Sequence, residues 1–346
     1  MILGSAPTLF SAKTNLIYLS YGNEREYKRS IFSVLSYLSW TDAEACNTRI
    51  IIYTDNPAYF QLHFSDHPIE YHLLEDQEKE QMLAGKGFLH RLKVAVMDLT
   101  FEKYPGDNLI FIDSDTFFVK DFSSFIATLK PGKSLMHKRE YDLEEGLASF
   151  SSFNQGQYPK ALIAYITGRN FMIQGNQESF DQRDYSYNSG VVGLSCDMSA
   201  YMPYFYQLTD EFYANSKWFI SEQLAFSFIL QRRTEITTTD SAVLHYWGAR
   251  QKRLMDKSLD VIFVRLNPTK INKPRVMKSL IKNYRAELEI DLLLEQVEIA
   301  VIHGSWIYAF KKSLQMIAKN PLNRKIYQNL RSAFQSGGGN ETRVMQ

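Results

Sequence analysis

Along the first half of the chain, short apolar runs alternate with stretches of helical period. Leu16-Ile17-Tyr18-Leu19-Ser20 reads as a buried strand that ends in the turn Tyr21-Gly22-Asn23. Ile31, Val34, Leu35 and Leu38 follow at the spacing of an amphipathic helix. Ile50-Ile51-Ile52-Tyr53, closed by Thr54-Asp55-Asn56-Pro57, predicts a second strand. From Phe88 to Tyr104 the period is helical again, with Leu92, Ala95, Val96 and Leu99 on one face, until Pro105-Gly106-Asp107 stops it. Asn108-Leu109-Ile110-Phe111-Ile112 is then a short, fully apolar strand that runs into Asp113-Ser114-Asp115-Thr116. This alternation, with near-continuous apolar strands, predicts an α/β fold: a mostly parallel, doubly wound sheet with helices on both faces.

The pattern loosens from about Glu140 to Tyr187, where Ser, Asn, Gln, Gly and Tyr dominate. Such a segment inside a domain is a functional excursion or locally mobile. Tyr187-Asn188-Ser189-Gly190 then leads into Val191-Val192-Gly193-Leu194, a turn and a strand. Helical patterns recur around Tyr201 to Asn215 and Ser221 to Gln231, and Val243-Leu244-His245-Tyr246-Trp247-Gly248 reads as one more strand end. Beyond Pro268 the chain becomes Lys-rich and helical, with Leu288, Leu292, Glu295 and Ile299 roughly along one line. Ser336-Gly337-Gly338-Gly339-Asn340 is linker-like.

Composition narrows the class. With 45% apolar and 22% charged residues over 346 positions, the chain can bury a sizeable core. A net charge of +1 points neither to nucleic acid nor to an acidic tail. The 21 Tyr and 23 Phe fill the core or offer ring faces to sugars. Cys46 and Cys196 are too few for a disulfide framework or a zinc site, so a reducing, cytoplasmic setting is expected, with one isolated disulfide left open. Met1 to Lys13 lacks the basic and apolar regions of a signal peptide. No stretch reaches the roughly 20 apolar residues of a membrane span. Ile299 to Phe310 is too short and contains His303, Gly304 and Ser305.

Chemistry concentrates at Asp113 and Asp115. Two carboxylates one residue apart at a strand end can bind one hard divalent cation, Mg²⁺ or Mn²⁺. Ligands of open α/β sheets bind beyond the carboxyl ends of strands. The bland reading is a solvated turn, but an acidic pair between Ile110-Phe111-Ile112 and Phe117-Phe118-Val119 is costly without a partner.

The segment Leu109-Ile110-Phe111-Ile112-Asp113-Ser114-Asp115-Thr116 resembles the metal-binding Asp-x-Asp strand end of GT-A glycosyltransferases, in particular the glycogenin-like, family 8-like nucleotide-diphospho-sugar transferases. Three further segments support the resemblance in the family's order. Tyr187 to Gly193 is similar to its Asn-Ser-Gly segment, Ser221-Glu222-Gln223-Leu224-Ala225 to its acidic-Gln helix start, and Leu244-His245-Tyr246-Trp247-Gly248 to its late His-x-x-Gly segment. Together they span roughly residues 14 to 255. The chain departs from the pattern after Gly248, where Ala249-Arg250-Gln251-Lys252-Arg253 replaces a lysine and Pro-Trp.

The resemblance implies metal ligands Asp113, Asp115 and His245, and a donor site that includes Ser114, Asn188, Ser189, Gly190 and Gly248. A cation for the phosphates is expected among Arg250, Lys252 and Arg253, with the choice between them open. Arg91 and Lys93 are either near the nucleotide or on a solvated helix face. Tyr21, Asn23 and Tyr53, at the first two strand ends, are expected at the base and ribose. Catalytic candidates are Asn188 and Glu222; the latter orients or deprotonates an acceptor hydroxyl, or instead caps its helix. His63, His67, His72, His90, His137 and His303 are read as structural or surface residues.

The expected organisation is a GT-A domain over 14–268, with a nucleotide half at about 15–119 and an acceptor half at about 120–268. A C-terminal helical appendage at 269–335 and a flexible tail at 336–346 follow. The expected activity is metal-dependent transfer, with Mn²⁺ or Mg²⁺, from a nucleotide-sugar, a UDP-sugar by resemblance, to a carbohydrate or glycolipid acceptor. The alternatives are a catalytically degenerate nucleotide-sugar-binding module and a haloacid dehalogenase-type phosphatase. The phosphatase signature needs Thr or Val where Phe117 stands. Residues 140–187 are expected to form the acceptor pocket and to order on binding. The C-terminal helices are expected either to pack as a bundle or to touch a membrane surface peripherally.

Overall fold

In the computed structural model, residues 12–338 are described except 153, 266, 267, 303 and 320. The strands are β1 (Thr14–Leu19), β2 (Thr48–Thr54), β3 (Ile69–Leu73), β4 (Asn108–Ile112), β5 (Thr116–Phe118), β6 (Lys133–Asp142), β7 (Asn170–Ile173), β8 (Asn176–Ser179), β9 (Tyr185–Leu194), β10 (Glu235–Thr238) and β11 (Val243–His245). Seven of them form one sheet in the order β10-β6-β9-β4-β1-β2-β3. All its pairings are parallel except those of β9, which runs antiparallel to both β4 and β6. The expected architecture, a mostly parallel sheet with helices on both faces, is the observed one.

Alternation along the central strands explains the two cores. Leu16, Tyr18, Ile50, Ile52, Ile110 and Ile112 point to one face, where they meet Ile31, Phe32 and Leu35 of the Glu24–Trp40 helix. Ile17, Ile51, Tyr53, Leu109 and Phe111 point to the other, against Val94, Val96 and Met97 of the Arg91–Lys103 helix. Because both faces are covered, the strands read as unbroken apolar runs.

The reversal of β9 positions the site. Ile112 is opposite Val191, and the Asp113 N–H donates to the Gly190 carbonyl at 3.0 Å. The N-terminal half of β9, with Asn188 and Ser189, therefore extends past the carboxyl end of β4. A second device is the antiparallel ribbon of β5 and β11, in which His245 is opposite Thr116. The Tyr246 N–H donates to the Asp115 carbonyl at 3.0 Å, continuing that ribbon.

Residues 140–187 hold regular structure where a loosely patterned, ligand-ordered segment was expected. They contain the Leu143–Ser151 and Gln157–Ile166 helices and the β7–β8 hairpin. Leu143, Leu162, Ile166, Phe171, Ile173 and Phe180 are buried in the first core. The polar residues between them dilute the apolar period, but Asp142 and Glu145 form a capping box that starts the first helix.

The long Pro274–Ile302 helix is shared between two clusters. Met277, Ile281 and Leu288 pack on the main body, and Tyr284 meets Phe32 edge-on at 5.9 Å. Leu293, Leu294, Val297 and Val301 instead join Ala309, Met316, Ile326 and Leu330 in a separate small core with the Trp306–Lys319 and Arg324–Gly338 helices. The last helix is assigned through Gly338, so it takes in the first three residues of the expected tail. His303 and positions 339–346 of that expected tail lie outside the described residues.

Two outcomes follow from this packing. Phe117 is fully buried and meets Phe32 and Tyr246, so Phe117→Ala should cost about 3–5 kcal/mol in urea unfolding. Asp98, on the Arg91–Lys103 helix, has its carboxyl pushed up to about 6 by burial and by Glu102. A raised acid binds its proton more tightly when folded. Its stabilising contribution is thus full below about pH 4 and is lost as pH rises through about 6. Asp98→Asn should remove that part of the pH dependence of the unfolding free energy, and an unchanged profile would contradict the assignment.

Candidate metal centre

Asp113, Asp115 and His245 come together beyond the carboxyl end of β4, each offering one ligand atom, with these atoms all within 4.8 Å of one another. His245 Nε2 lies 3.1 Å from Asp115 Oδ1 and 4.0 Å from Asp113 Oδ2. The ring is held from behind. The Gly190 N–H donates to Asn188 Oδ1 at 3.0 Å, and Asn188 Nδ2 donates to Glu140 Oε1 at 3.2 Å. These bonds fix the amide so that its oxygen also faces His245 Nδ1, at 2.8 Å. Nδ1 thus carries a proton, and Nε2, 3.1 Å from Asp115 Oδ1, is the ring atom left to turn to a metal.

Gly190 makes this approach possible. A Cβ there would sit 2.3 Å from His245 Nδ1, a distance no packed pair tolerates. Behind His245 lies His137, in a T-shaped ring contact at 5.4 Å. Burial and the neighbouring His245 push His137 down to about 4, and its Nε2–H donates to the Val243 carbonyl at 3.1 Å. His137 is a neutral core residue, as expected.

Charge around the cluster is arranged in layers. Lys93 is buried, and its Nζ lies 3.1 Å from Asp113 Oδ1, 2.9 Å from Glu222 Oε1 and 3.1 Å from both the Ser189 carbonyl and Oγ. Burial by itself would favour the neutral amine, but Asp113 and Glu222 outweigh it and the ammonium is held more firmly than in water. Lys252 Nζ lies 2.7 Å from Asp115 Oδ2. Burial would raise the Asp115 carboxyl, yet His245 and Lys252 hold it far below the usual carboxylate range. Asp113, Asp115 and Glu222 supply three carboxylates against the Lys93 and Lys252 ammonium groups, so one negative charge is left over for a divalent cation. Two hard carboxylates and an imidazole are a fitting donor set.

The structure sorts the other candidates. Ser114 Oγ donates to Glu26 Oε2 at 2.7 Å, and Glu26 is in turn held by Arg29, which also pairs with Asp256. Asn23 accepts from the Arg25 and Glu26 N–H groups, capping the Glu24–Trp40 helix, and lines a depression of about 510 Å³ with Glu26 and Arg29. Tyr21 is half-buried, with the Lys79 ammonium 5.2 Å above its ring. Gly248 opens the Ala249–Arg265 helix, its carbonyl accepting from the Lys252 N–H at 2.8 Å. Of the three cations after Gly248, Lys252 reaches Asp115, while Arg250 is paired with Asp291 and Glu298.

Two candidates lie away from the cluster. Tyr53 points into the first core, where its hydroxyl is 2.7 Å from Thr100 Oγ1, because alternation along β2 turns it under the Arg91–Lys103 helix. Arg91 is bound to Asp210 at 2.9 Å and to the Met82 carbonyl, with Tyr206 against its guanidinium. Two residues apart on one helix, Arg91 and Lys93 cannot share a face. Glu222 makes no capping bond to its helix; Ser189 Oγ donates to it at 2.8 Å.

Glu140, Gln223 and Glu26 were not singled out as site residues. Gln223 accepts from the Ser189 N–H at 3.2 Å and donates to Glu140 at 3.0 Å. Burial raises the Glu140 carboxyl. The segment containing Glu222 carried a signal for Gln223, but Glu140 stands in an undistinguished polar stretch.

No protein family matches the sequence, and no curated protein matches it. Among solved structures, the chain is similar to the galactosyltransferase LgtC in complex with donor and acceptor sugar analogues, at 13% identity over 70% of this chain and 95% of that one, with a TM-score of 0.42. Mouse xyloside xylosyltransferase 1 gives 12% identity, 66% and 85% coverage and a TM-score of 0.41. A glycosyltransferase that acts in glycosylation of the major capsid of PBCV-1 gives 13% identity, 72% and 99% coverage and a TM-score of 0.39. Superpositions this loose carry no argument by themselves, so the reading of function rests on the chain's own residues.

Lys93 is the test of the buried charge set. Lys93→Met leaves Asp113 and Glu222 facing each other and should cost about 3–5 kcal/mol in urea unfolding with EDTA present. Adding Glu222→Gln should recover part of the loss. A double variant no more stable than the single one would show that the ion pair is not what Lys93 supplies.

Proposed function

We propose that this protein is a metal-dependent glycosyltransferase that moves a sugar from a UDP-sugar to a carbohydrate or glycolipid acceptor. The observation that supports it most is the convergence of Asp113, Asp115 and His245 at the end of β4, with Asn188 fixing the imidazole. Four sequence segments that resemble one family meet at this point, although they are far apart in the chain.

Asp113, Asp115 and His245 would hold Mn²⁺ or Mg²⁺. When bound, the cation neutralises charge that develops on the leaving nucleoside diphosphate. Lys252, at the mouth of the cluster, supplies a second positive charge for the phosphates. Lys93 and Glu222 are buried beneath it, and their part is to orient Asp113 and Ser189. Ser114 and the depression lined by Asn23, Glu26 and Arg29 are proposed for the nucleoside.

For the acceptor, a depression of about 360 Å³ lined by Lys138, Arg139, Tyr187, Thr238 and Asp240 is the proposed entry. Tyr187 precedes Asn188 and offers a ring face to a sugar. Glu140, held by Asn188 and Gln223, is the carboxylate we place nearest an acceptor hydroxyl. The nucleotide half is proposed at about 15–119 and the acceptor half at about 120–268.

The test is thermal shift with Mn²⁺ and a panel of nucleotide-sugars, followed by donor hydrolysis. Wild-type protein should be stabilised by metal and donor together. Asp115→Ala should abolish turnover, and Asn188→Ala should weaken metal binding by about 10–100-fold. Full activity in EDTA, or wild-type turnover in Asp115→Ala, would remove the proposal.

A further inference from the structure

Charge is not spread evenly along this chain. Between Ile299 and Asn340 there are six cations, Lys311, Lys312, Lys319, Arg324, Lys325 and Arg331, and no Asp or Glu. That stretch carries +6 in a chain whose net charge is +1, which leaves −5 for the rest. The same stretch forms the last two helices, Trp306–Lys319 and Arg324–Gly338.

The first of these helices has two distinct apolar faces. Ala309, Ser313 and Met316 face inward to the small C-terminal core. About 130° around the helix, Ile307, Phe310 and Leu314 follow one another at spacings of three and four residues, and they are 89%, 63% and 51% exposed. No element among the described residues covers this stripe. Trp306 and Tyr308 flank it half exposed, Lys311 is on its border, and Leu322, just beyond the helix, is 91% exposed. Isolated exposed leucines need no explanation, but a continuous stripe at helical spacing does.

We propose that this face of the Trp306–Lys319 helix, bordered by Lys311 and lying within the positively charged C-terminal stretch, docks on the interface of a bilayer that contains anionic lipid. The charge argument selects the occupant. Lys319 is already paired with Glu289, but a second copy of the chain would still bring the other five cations against their own kind. An anionic lipid surface satisfies the cations and takes up the apolar stripe at once. Trp and Tyr beside the stripe suit the headgroup level, where an amphipathic ring has one apolar and one wet side. No helix among the described residues is long and apolar enough to cross a membrane, so the contact lies in the plane of the interface.

The experiment is sedimentation of the full chain with vesicles, read by protein content and not by activity. One set of vesicles is phosphatidylcholine alone, and the other contains phosphatidylglycerol as well. The chain should partition to the mixed vesicles and be released by salt. Ile307→Ser/Phe310→Ser/Leu314→Ser should bind about tenfold less or worse, with an unchanged melting temperature since these side chains are exposed. A second variant, Lys311→Gln/Lys312→Gln, should weaken binding to the mixed vesicles while keeping the stripe. Wild-type protein left in the supernatant with anionic vesicles would overturn the proposal, as would a triple serine variant that binds like wild type. A stripe-dependent dimer in analytical ultracentrifugation without lipid would assign the face to a second copy and overturn it as well.

Discussion

The carboxylates of Asp113 and Glu222 converge at one end of the sheet, and Lys93 is the group that lets them stay there, while Asp115 beside them is held by Lys252. A buried carboxylate without a partner is costly, and two of them facing each other cost more. Lys93 reaches from the Arg91–Lys103 helix under β4 to touch Asp113, Glu222 and both oxygens of Ser189. Through those contacts it ties together the end of β4, the start of β9's apolar half and the first turn of the Ser221–Arg233 helix. The other side of Asp113 is then free to point outward, beside Asp115 and His245.

Two strand pairings turn this charge cluster into a site. The antiparallel course of β9 brings Asn188 and Gly190 to the end of β4, and the β5–β11 ribbon brings His245 beside Asp115. Neither is a local event: Asp115 and His245 are 130 residues apart in the chain, and their contact depends on long-range pairing. Gly190 is the point where both devices meet, since its missing side chain leaves room for the His245 ring.

Much of this was legible in the sequence, for reasons that differ from part to part. The central strands announced themselves because both faces are buried, and Asp113 and Asp115 stood out because apolar runs enclosed them. Tyr53 was placed at the site because it ends a strand, but the two-residue period decides which face a strand-end residue takes, and β2 turns it to Thr100. Lys93 and Arg91 were indistinguishable as two cations of one helix until the helix was set on the sheet. The segment 140–187 hid its two helices because their buried residues are few and widely spaced among polar ones. Glu140 could not be found from its neighbours in sequence; its partners Asn188 and Gln223 are distant. The packing of the Pro274–Ile302 helix divides between Leu288 and Leu293, and no break in the local pattern marks that division.

The proposed centre depends most on His245 Nε2 being a metal ligand, with its other nitrogen held by Asn188. Pulsed electron paramagnetic resonance on the Mn²⁺-loaded protein measures this directly, because a coordinated imidazole gives a nitrogen hyperfine coupling that oxygen ligands do not. The account predicts one tightly bound Mn²⁺ with a single imidazole coupling that disappears in His245→Gln. A bound Mn²⁺ with no nitrogen coupling, or a coupling that survives in His245→Gln, would contradict it.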